Sequence, residues 1–364
     1  MSLAAPRLPQ DVSDRIEILR FPLIVGVVFI HAFPVVVKWL GETLGTPEPG
    51  LISIVVRNLL SEGLFRIPVP MLFFISGLLF FWNVNGTRFS QDEFVRKFRA
   101  RVRTLLVPFL FWNVVVLVFI GIAQNSGLRE FFAESYPIRQ YTPFNYVNAI
   151  LGITHAPIAY QFWFVRNLIV LVFLSPLIYW VLRLIPIPFL LGMGFLWLGQ
   201  FWPIRIPDAP GLFFFSLGGY LGLRHFDLRR IDRFWWILLP TYGAVLAFDV
   251  ALKPTSWSGQ VHHLGILLGV PWLFSATRFA VANARVKAAL LALAPASFFL
   301  YASHEPLLML LRKSAYILLR PQGDLWVLLV YFAHPILVIL VCTWAFGWLQ
   351  GRVPRFMGWI AGGR

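Results

Sequence analysis

The sequence predicts an all-α integral membrane protein of about ten transmembrane helices. Three observations predict it: composition, the spacing of apolar runs and the placement of positive charge. The chain is 59% hydrophobic, 17% aromatic and only 13% charged, with a mean hydropathy of +0.74. Soluble domains are about half apolar and one quarter charged, so this much apolar surface cannot be hidden in one soluble core. At about 20 residues per crossing, about ten helices with short loops consume all 364 residues. Residues 1–364 therefore read as a single membrane domain with no fused extracytoplasmic domain.

The apolar runs fall at 16–37, 67–82, 104–123, 162–182, 186–203, 210–223, 234–251, 261–279, 288–311 and 325–349. Segment 51–66, "LISIVVRNLLSEGLFR", is too polar for a lipid-facing span and reads as a short helix packed against the bundle. A cytoplasmic N-terminus puts Arg88, Arg96, Lys97, Arg99, Arg101 and Arg103 inside, with Arg224, Arg229, Arg230 and Arg233. Arg278, Arg285, Lys287, Arg352, Arg355 and Arg364 join them, as do Arg7, Arg15 and Arg183. The inside then carries roughly twice the Lys and Arg of the outside, and an even number of spans makes the C-terminus cytoplasmic too. Orientation thus accounts for the net charge of +15, and nucleic acid is not expected as a partner. The single cysteine, Cys342, excludes an internal disulfide, and no metal site is expected. The first fifteen residues have no apolar core and do not form a cleavable signal.

Within this apolar background, polar residues stand out in order. In "RIEILRFPLIVGVVFIHAFP" (15–34), Arg20 and His31 are eleven residues apart. In an α-helix that is about three turns plus 20° and a rise of about 16 Å, so both lie on one face, with His31 near mid-membrane. Pro22 and Pro34 each free a carbonyl and favour a bend. An intramembrane ionisable group costs about 2.5–3.5 kcal/mol for Arg on insertion scales and is by default a functional site. The bland alternative is an interhelical bond for His31 and a snorkelling Arg20. Glu17, three residues before Arg20, can hold it in place, which a purely snorkelling arginine does not need.

"RIPVPMLFFISGLLFFW" sets Arg66 at one end of the second run and Ser76-Gly77 inside it, residues suited to close helix packing. "DEFVRKFRARVRTLLVP" then places Arg96, Arg99 and Arg103 on one helical face, with Lys97 and Arg101 beside it. Such a basic segment is either a membrane-surface anchor or a dock for a polyanion, whose phosphates favour arginine. The outside loop 124–161 carries several tyrosines and an amphipathic "FNYVNAILGI", and loops this long are often functional. "YQFWFVRNLIVLVFLSP" puts Tyr160, Gln161, Trp163 and Arg166 at an outer boundary, with Arg166 facing the bundle. In "SFFLYASHEPLLMLLRK", Ser297, Tyr301 and His304 make one helical stripe with Glu305 beside it, either a polar cavity or a packed network.

Together these segments resemble membrane acyltransferase family 3, the multi-span O-acyltransferases of bacterial surface polysaccharides. Four ordered stretches carry the resemblance: the Arg20/His31 pair with Glu17 where an Asp is usual, "RIPVPMLFFISG" running into the Arg-rich loop, "FWFVRNLIVL" and "SFFLYASH". Gln161 and Asn167 depart from the usual His and Asp. The resemblance implies a bacterial inner-membrane enzyme that uses acyl-CoA, most often acetyl-CoA, as co-substrate, with no tightly bound cofactor. The acceptor is a sugar hydroxyl on an oligosaccharide or polyprenyl-linked glycan. Membrane lipids and polysaccharide-assembly proteins are further partners. It also implies that Arg20 and His31 are essential. In the scheme that follows, His31 is the general base, or else carries the acyl group covalently. Arg20, set by Glu17, orients CoA or stabilises the oxyanion. Arg96, Arg99, Arg101 and Arg103 hold CoA phosphates, and Arg66, Ser76, Trp163, Arg166, Tyr301 and His304 line the acceptor side. A transporter or flippase of an anionic lipid-linked substrate, and a glucan succinyltransferase, are the alternatives.

Overall fold

A computed structural model of the protein describes residues 8–82, 84 and 90–362; Arg7, Arg88 and Arg364 of the charge pattern lie outside them. The described chain is overwhelmingly helical. Six helical stretches among the described residues are long and apolar enough to cross a membrane: Leu51–Trp82, Gln91–Ala123, Leu228–Ala251, Ser258–Ala282, Ala284–Leu319 and Gly323–Arg352. Tyr160–Phe173 with Ser175–Leu184, bent by 64°, makes a seventh if the pair is one span. A helix lies in every one of the apolar runs of the sequence, including the shorter Pro186–Leu198 and Ala209–Leu223. The chain is an all-α membrane protein apart from one short hairpin.

Contacts divide the chain into two compact units. The first comprises Met1–Gly26, Glu62–Val102 and Asn167–Pro295; the second comprises Val27–Ser61, Arg103–Arg166 and Ala296–Arg364. Helix α1 (Gln10–His31) contributes to both.

In the first unit, helix α3 (Pro68–Trp82) is apolar all round and mostly buried, as a core helix should be. It packs on α10 (Ala209–Leu223) at very short range. A Cβ at Gly77 would collide with the Phe215 carbonyl, and one at Gly218 with that of Phe74, so glycine is what lets these backbones meet. Helix α4 (Gln91–Arg101) begins at Ser90, whose hydroxyl accepts from the Glu93 N–H at 3.4 Å. Asp92 and Glu93 sit in its first turn and Arg99 and Arg101 in its last, matching the helix dipole. The N-terminal turns of α1 are tied by Arg15 to Asp232 (2.7 Å) and by Asp14 to Lys287 (2.5 Å). Helices α11 (Trp235–Ala251) and α12 (Ser258–Ala282) pack as a pair.

In the second unit, α1 stops at His31 rather than running on to residue 37. Proline disfavours helical geometry at the residue before it; Pro22 is accommodated inside α1, whereas Phe33-Pro34 follows its end. His31 is consequently a helix C-terminal residue, not a mid-helix one. The chain next forms β1 (Val36–Trp39) and β2 (Glu42–Gly45), paired antiparallel with Trp39 opposite Glu42. Leu40 and Gly41 at the turn both have positive φ (49° and 82°), as a tight two-residue hairpin requires. Val37 and Leu44 point into a cluster with Val35, Tyr316, Val327 and Val330, which seats the hairpin on α14 (Ser297–Leu319) and α15 (Gly323–Arg352). Helix α2 (Leu51–Leu60) is the short helix expected from 51–66, but it turns Ser53 and Arg57 inward and leaves Leu51, Ile52, Ile54, Val55 and Leu59 exposed. It lies within a stretch apolar enough to span. Ser61 beyond it donates to the Phe29 carbonyl at 2.6 Å. Helices α5 (Val107–Ala123), α6 (Pro143–Leu151) and α16 (Pro354–Ile360) complete the unit.

Candidate active site

The end of α1 is where polar groups converge. The ring of His31 meets Tyr160 edge-on at 4.9 Å between centroids, and its Nδ1 lies 3.2 Å from the Tyr160 hydroxyl. The same hydroxyl donates to Glu305 Oε1 at 2.9 Å. An ionised carboxylate can only accept, so Tyr160 directs its proton to Glu305 and receives one from His31 Nδ1–H. With Glu305 ionised, the lone pair of a neutral His31 then lies on Nε2. Arg312 donates to the His31 carbonyl at 2.9 Å, satisfying a helix-end acceptor with a cation.

A second imidazole stacks on the first. The ring of His304 lies 5.4 Å from that of His31 with an interplanar angle of 27°. Its Nδ1 is 2.8 Å from the Tyr301 carbonyl and 3.3 Å from that of Leu300, so Nδ1 holds the proton. His304 is fully buried, and its Nε2 has no partner among the described residues. Tyr301 donates to the Gln161 carbonyl at 2.6 Å, and Gln161 donates back to the Ala302 carbonyl at 3.2 Å. Of the two readings of the 297–304 stripe, Tyr301 therefore follows the packed network, while His304 faces His31.

Local sequence explains the position of Glu305. Pro306 follows it, and Glu305 is non-helical within α14 (φ −106°, ψ 140°). The kink turns the carboxylate out of the helical stripe and towards Tyr160. Tyr160 itself opens the short 3-10 turn Tyr160–Phe162 that leads into α7 (Trp163–Phe173). The Ala159 N–H donates to the buried Asn113 side chain at 3.1 Å, which anchors that turn.

The other sequence-derived residues are distributed over both units. Arg20 lies eleven residues before His31 on α1, in the first unit, and pairs with Glu17 at 2.5 Å, the partnership read from their spacing. Also in the first unit, Arg66 pairs with Glu62 at 2.5 Å, and Ser76 is half-buried on α3. Arg96 and Arg99 are exposed on α4 and Arg101 is half-buried. Lys97 turns inward to donate to the Phe80 carbonyl at 2.7 Å. Arg103, in the second unit, is exposed 5.8 Å above the ring of Trp359. Trp163 is half-buried at the start of α7. Arg166 reaches back to the carbonyls of Gly152 (2.5 Å) and His155 (2.7 Å), clamping a loop. His31 and His304 are thus brought together with three residues the sequence had not singled out for the site: Tyr160, Glu305 and Arg312. A carboxylate directly before a proline inside an apolar run was the signal available for Glu305.

A family model described as an acyltransferase domain matches residues 13–346. The chain is similar to the succinoglycan biosynthesis protein ExoH of Rhizobium meliloti (strain 1021), at 26% identity over 375 residues. That alignment covers 97% of this chain and 93% of the relative. No solved structure matches. The chain belongs to the acyltransferase family defined by that model, as its four ordered motifs implied.

Proposed function

Starting from that membership, we propose that this acyltransferase moves an acyl group, acetyl in the first reading, from acyl-CoA to a sugar hydroxyl. The acceptor is a surface or lipid-linked oligosaccharide destined for exopolysaccharide, and His31 is the general base. The observation that carries the reading is the Tyr160 hydroxyl set between His31 Nδ1 and Glu305. A sugar hydroxyl is a poor nucleophile, and a positioned imidazole removes its proton as the oxygen attacks the thioester carbonyl. The proton goes to Nε2. The positive charge that forms is stabilised through Tyr160 by the Glu305 carboxylate. Collapse of the tetrahedral intermediate expels the CoA sulfur, which leaves with the proton held on Nε2.

Arg20, held by Glu17, is assigned to the oxyanion or to CoA orientation. Arg96, Arg99, Arg101 and Arg103 are assigned to the CoA phosphates, for which Arg96 and Arg99, exposed on the capped helix α4, are well suited. Arg66, Ser76, Trp163 and His304 are assigned to the acceptor side. Tyr301 and Arg166 support it from behind, through hydrogen bonds to the backbone carbonyls of Gln161, Gly152 and His155. No tightly bound cofactor is invoked. Residues 1–364 act as one domain with ten spans and cytoplasmic termini in a bacterial inner membrane. Membrane lipids, a polyprenyl-linked glycan and polysaccharide-assembly proteins surround it. The role of the relative in succinoglycan biosynthesis supports a polysaccharide acceptor.

A succinyl donor is the second reading, and Arg312 favours it. Its guanidinium sits beside His31, and its Nε is buried without a partner among the described residues. Such a cation is suited to the free carboxylate of a dicarboxylic acyl group.

The test is thiol release by the purified protein in nanodiscs, supplied with acetyl-CoA and a lipid-linked oligosaccharide extract. Release should require the extract and should fall by about 10²–10⁴-fold in His31→Ala. Competition with succinyl-CoA identifies the donor. Folded wild type that binds the extract yet releases no CoA from either donor would replace this reading with a transporter.

A further inference from the structure

The outside loop contains a pocket that no catalytic assignment uses. It is open, holds roughly 450 Å³, and is lined chiefly by Tyr136, Tyr141, Asn145, Asn148, His155 and Ile158. All of these lie within one stretch of the second unit. Its frame is built rather than incidental. Thr142 caps α6 by accepting from the Asn145 N–H at 3.2 Å, and Gly152 ends the helix in a left-handed conformation (φ 68°). Asn148 then ties the returning loop through Thr154, accepting its N–H at 2.9 Å and donating to its hydroxyl at 2.9 Å. Arg166 clamps the same loop at Gly152 and His155, and the Ile158 N–H closes it on the Ala149 carbonyl at 2.7 Å.

The frame presents a distinct chemistry. Two phenol rings, Tyr136 and Tyr141, stand 5.8 Å apart with 30° between their planes, and Tyr146 meets Tyr141 edge-on at 5.3 Å. Tyr136 is 57% exposed. Burial pushes the Tyr141 phenol above the ordinary tyrosine range, so it stays a neutral donor. The Asn145 side chain makes no hydrogen bond within the described protein, and His155 uses only Nδ1, on the Thr154 hydroxyl at 2.7 Å and the Asn148 amide at 3.4 Å. No lysine, arginine or carboxylate lines the pocket. Aromatic faces for C–H surfaces, beside neutral groups that both donate and accept, suit an uncharged polyhydroxyl ring and neither an anion nor a cation.

We infer that this pocket binds a neutral pyranose of the acceptor glycan, outside the point of acyl transfer. The inference rests on the glycan-acceptor reading above and adds where the acceptor is gripped. It also explains a placement: Ile158 of the pocket wall is two residues from Tyr160, which holds His31. A sugar seated here is thus carried on the same short segment that orients the base.

The experiment is saturation-transfer NMR on the full chain in nanodiscs, with cellotetraose and a β-1,3-linked glucotetraose as probes. Wild type should transfer saturation to sugar ring protons, and Tyr141→Ala and Asn145→Ala should each weaken binding by about tenfold, or 1.4 kcal/mol. Asn145→Ala removes no ring, so it guards against a folding defect in Tyr141→Ala; thermal midpoints are compared for both. Equal transfer in wild type and both variants, or none in wild type, overturns the pocket. Donor thiol release that persists in those circumstances leaves the acyltransferase reading intact. Pocket-dependent sugar binding without thiol release would instead sink the acyl chemistry and keep the glycan site.

Discussion

Among the described residues, His262 and His31 each lie near a carboxylate, and they are wired differently. His262 on α12 contacts Asp249 of α11 directly, Nδ1 to Oδ2 at 3.1 Å, and Lys253 completes the cluster at 3.1 Å from Oδ1. Asp249 is buried, and its charge is matched within the cluster by groups on the same helix pair. His31 reaches Glu305 only through the Tyr160 hydroxyl. The first arrangement is a clasp: direct, charge-compensated and local, joining residues 4 and 13 positions apart. The second is a hydroxyl-bridged relay that joins residues 129 and 145 positions apart. Proximity of a carboxylate to a histidine therefore says little by itself; the two sites differ in whether a hydroxyl stands between the partners.

Substitutions sharpen this contrast. The largest effect on turnover among the supporting residues is expected at the bridge. Tyr160→Phe removes the hydroxyl that stands between His31 and Glu305 and should lower kcat by about 10²-fold, near the lower end of what a positioned acid–base group contributes. KM for acyl-CoA should stay within about twofold, read from donor titration of thiol release. Unchanged kcat would reduce the relay to packing. Arg312→Lys comes next. It keeps the charge and gives up the guanidinium N–H bond to the His31 carbonyl, and should cost about tenfold with acetyl-CoA. A much larger loss with succinyl-CoA than with acetyl-CoA would mark Arg312 as a reader of the donor.

The clasp should behave in the opposite sense. Asp249→Asn leaves Lys253 beside a neutral amide and should lower stability by about 2 kcal/mol, discounted from the 3–5 of a fully buried pair because Lys253 is 20% exposed. Turnover per folded molecule should change by less than about twofold. A thermal melt followed by intrinsic fluorescence, run beside the thiol assay, measures both. Loss of turnover without loss of stability would make the clasp a second functional site.

How much of this was legible in the chain depends on sequence distance. The apolar runs were legible because a helix is a local pattern, and the Glu17–Arg20 pair because three residues make one turn. Gly77 was legible as a close-approach residue, although its partner, the Phe215 carbonyl, was not. The end of α1 at His31 could have been read from Pro34. The apolar Val35-Val36-Val37 beyond it imitates a continuing span, while the period-2 burial of a four-residue strand is too short to stand out. Tyr160 and Arg312 were illegible for a different reason. Each meets His31 across 129 or 281 residues, and each is locally indistinguishable from an interfacial aromatic or basic residue.

The clamp at Arg166 bears on how proteins of this kind could diversify. The segment between Gly152 and Tyr160 is pinned at Gly152 and His155 by Arg166, at Thr154 by Asn148, and at Ala159 by Asn113. An added or deleted residue there would throw the Tyr160 hydroxyl out of register with His31. New acceptor preferences should therefore arise by exchanging side chains around the pocket while the length of this stretch is held constant. A laboratory library that varies residues 136, 141, 145 and 155 at fixed loop length is the one in which altered sugar choice and intact turnover can coexist.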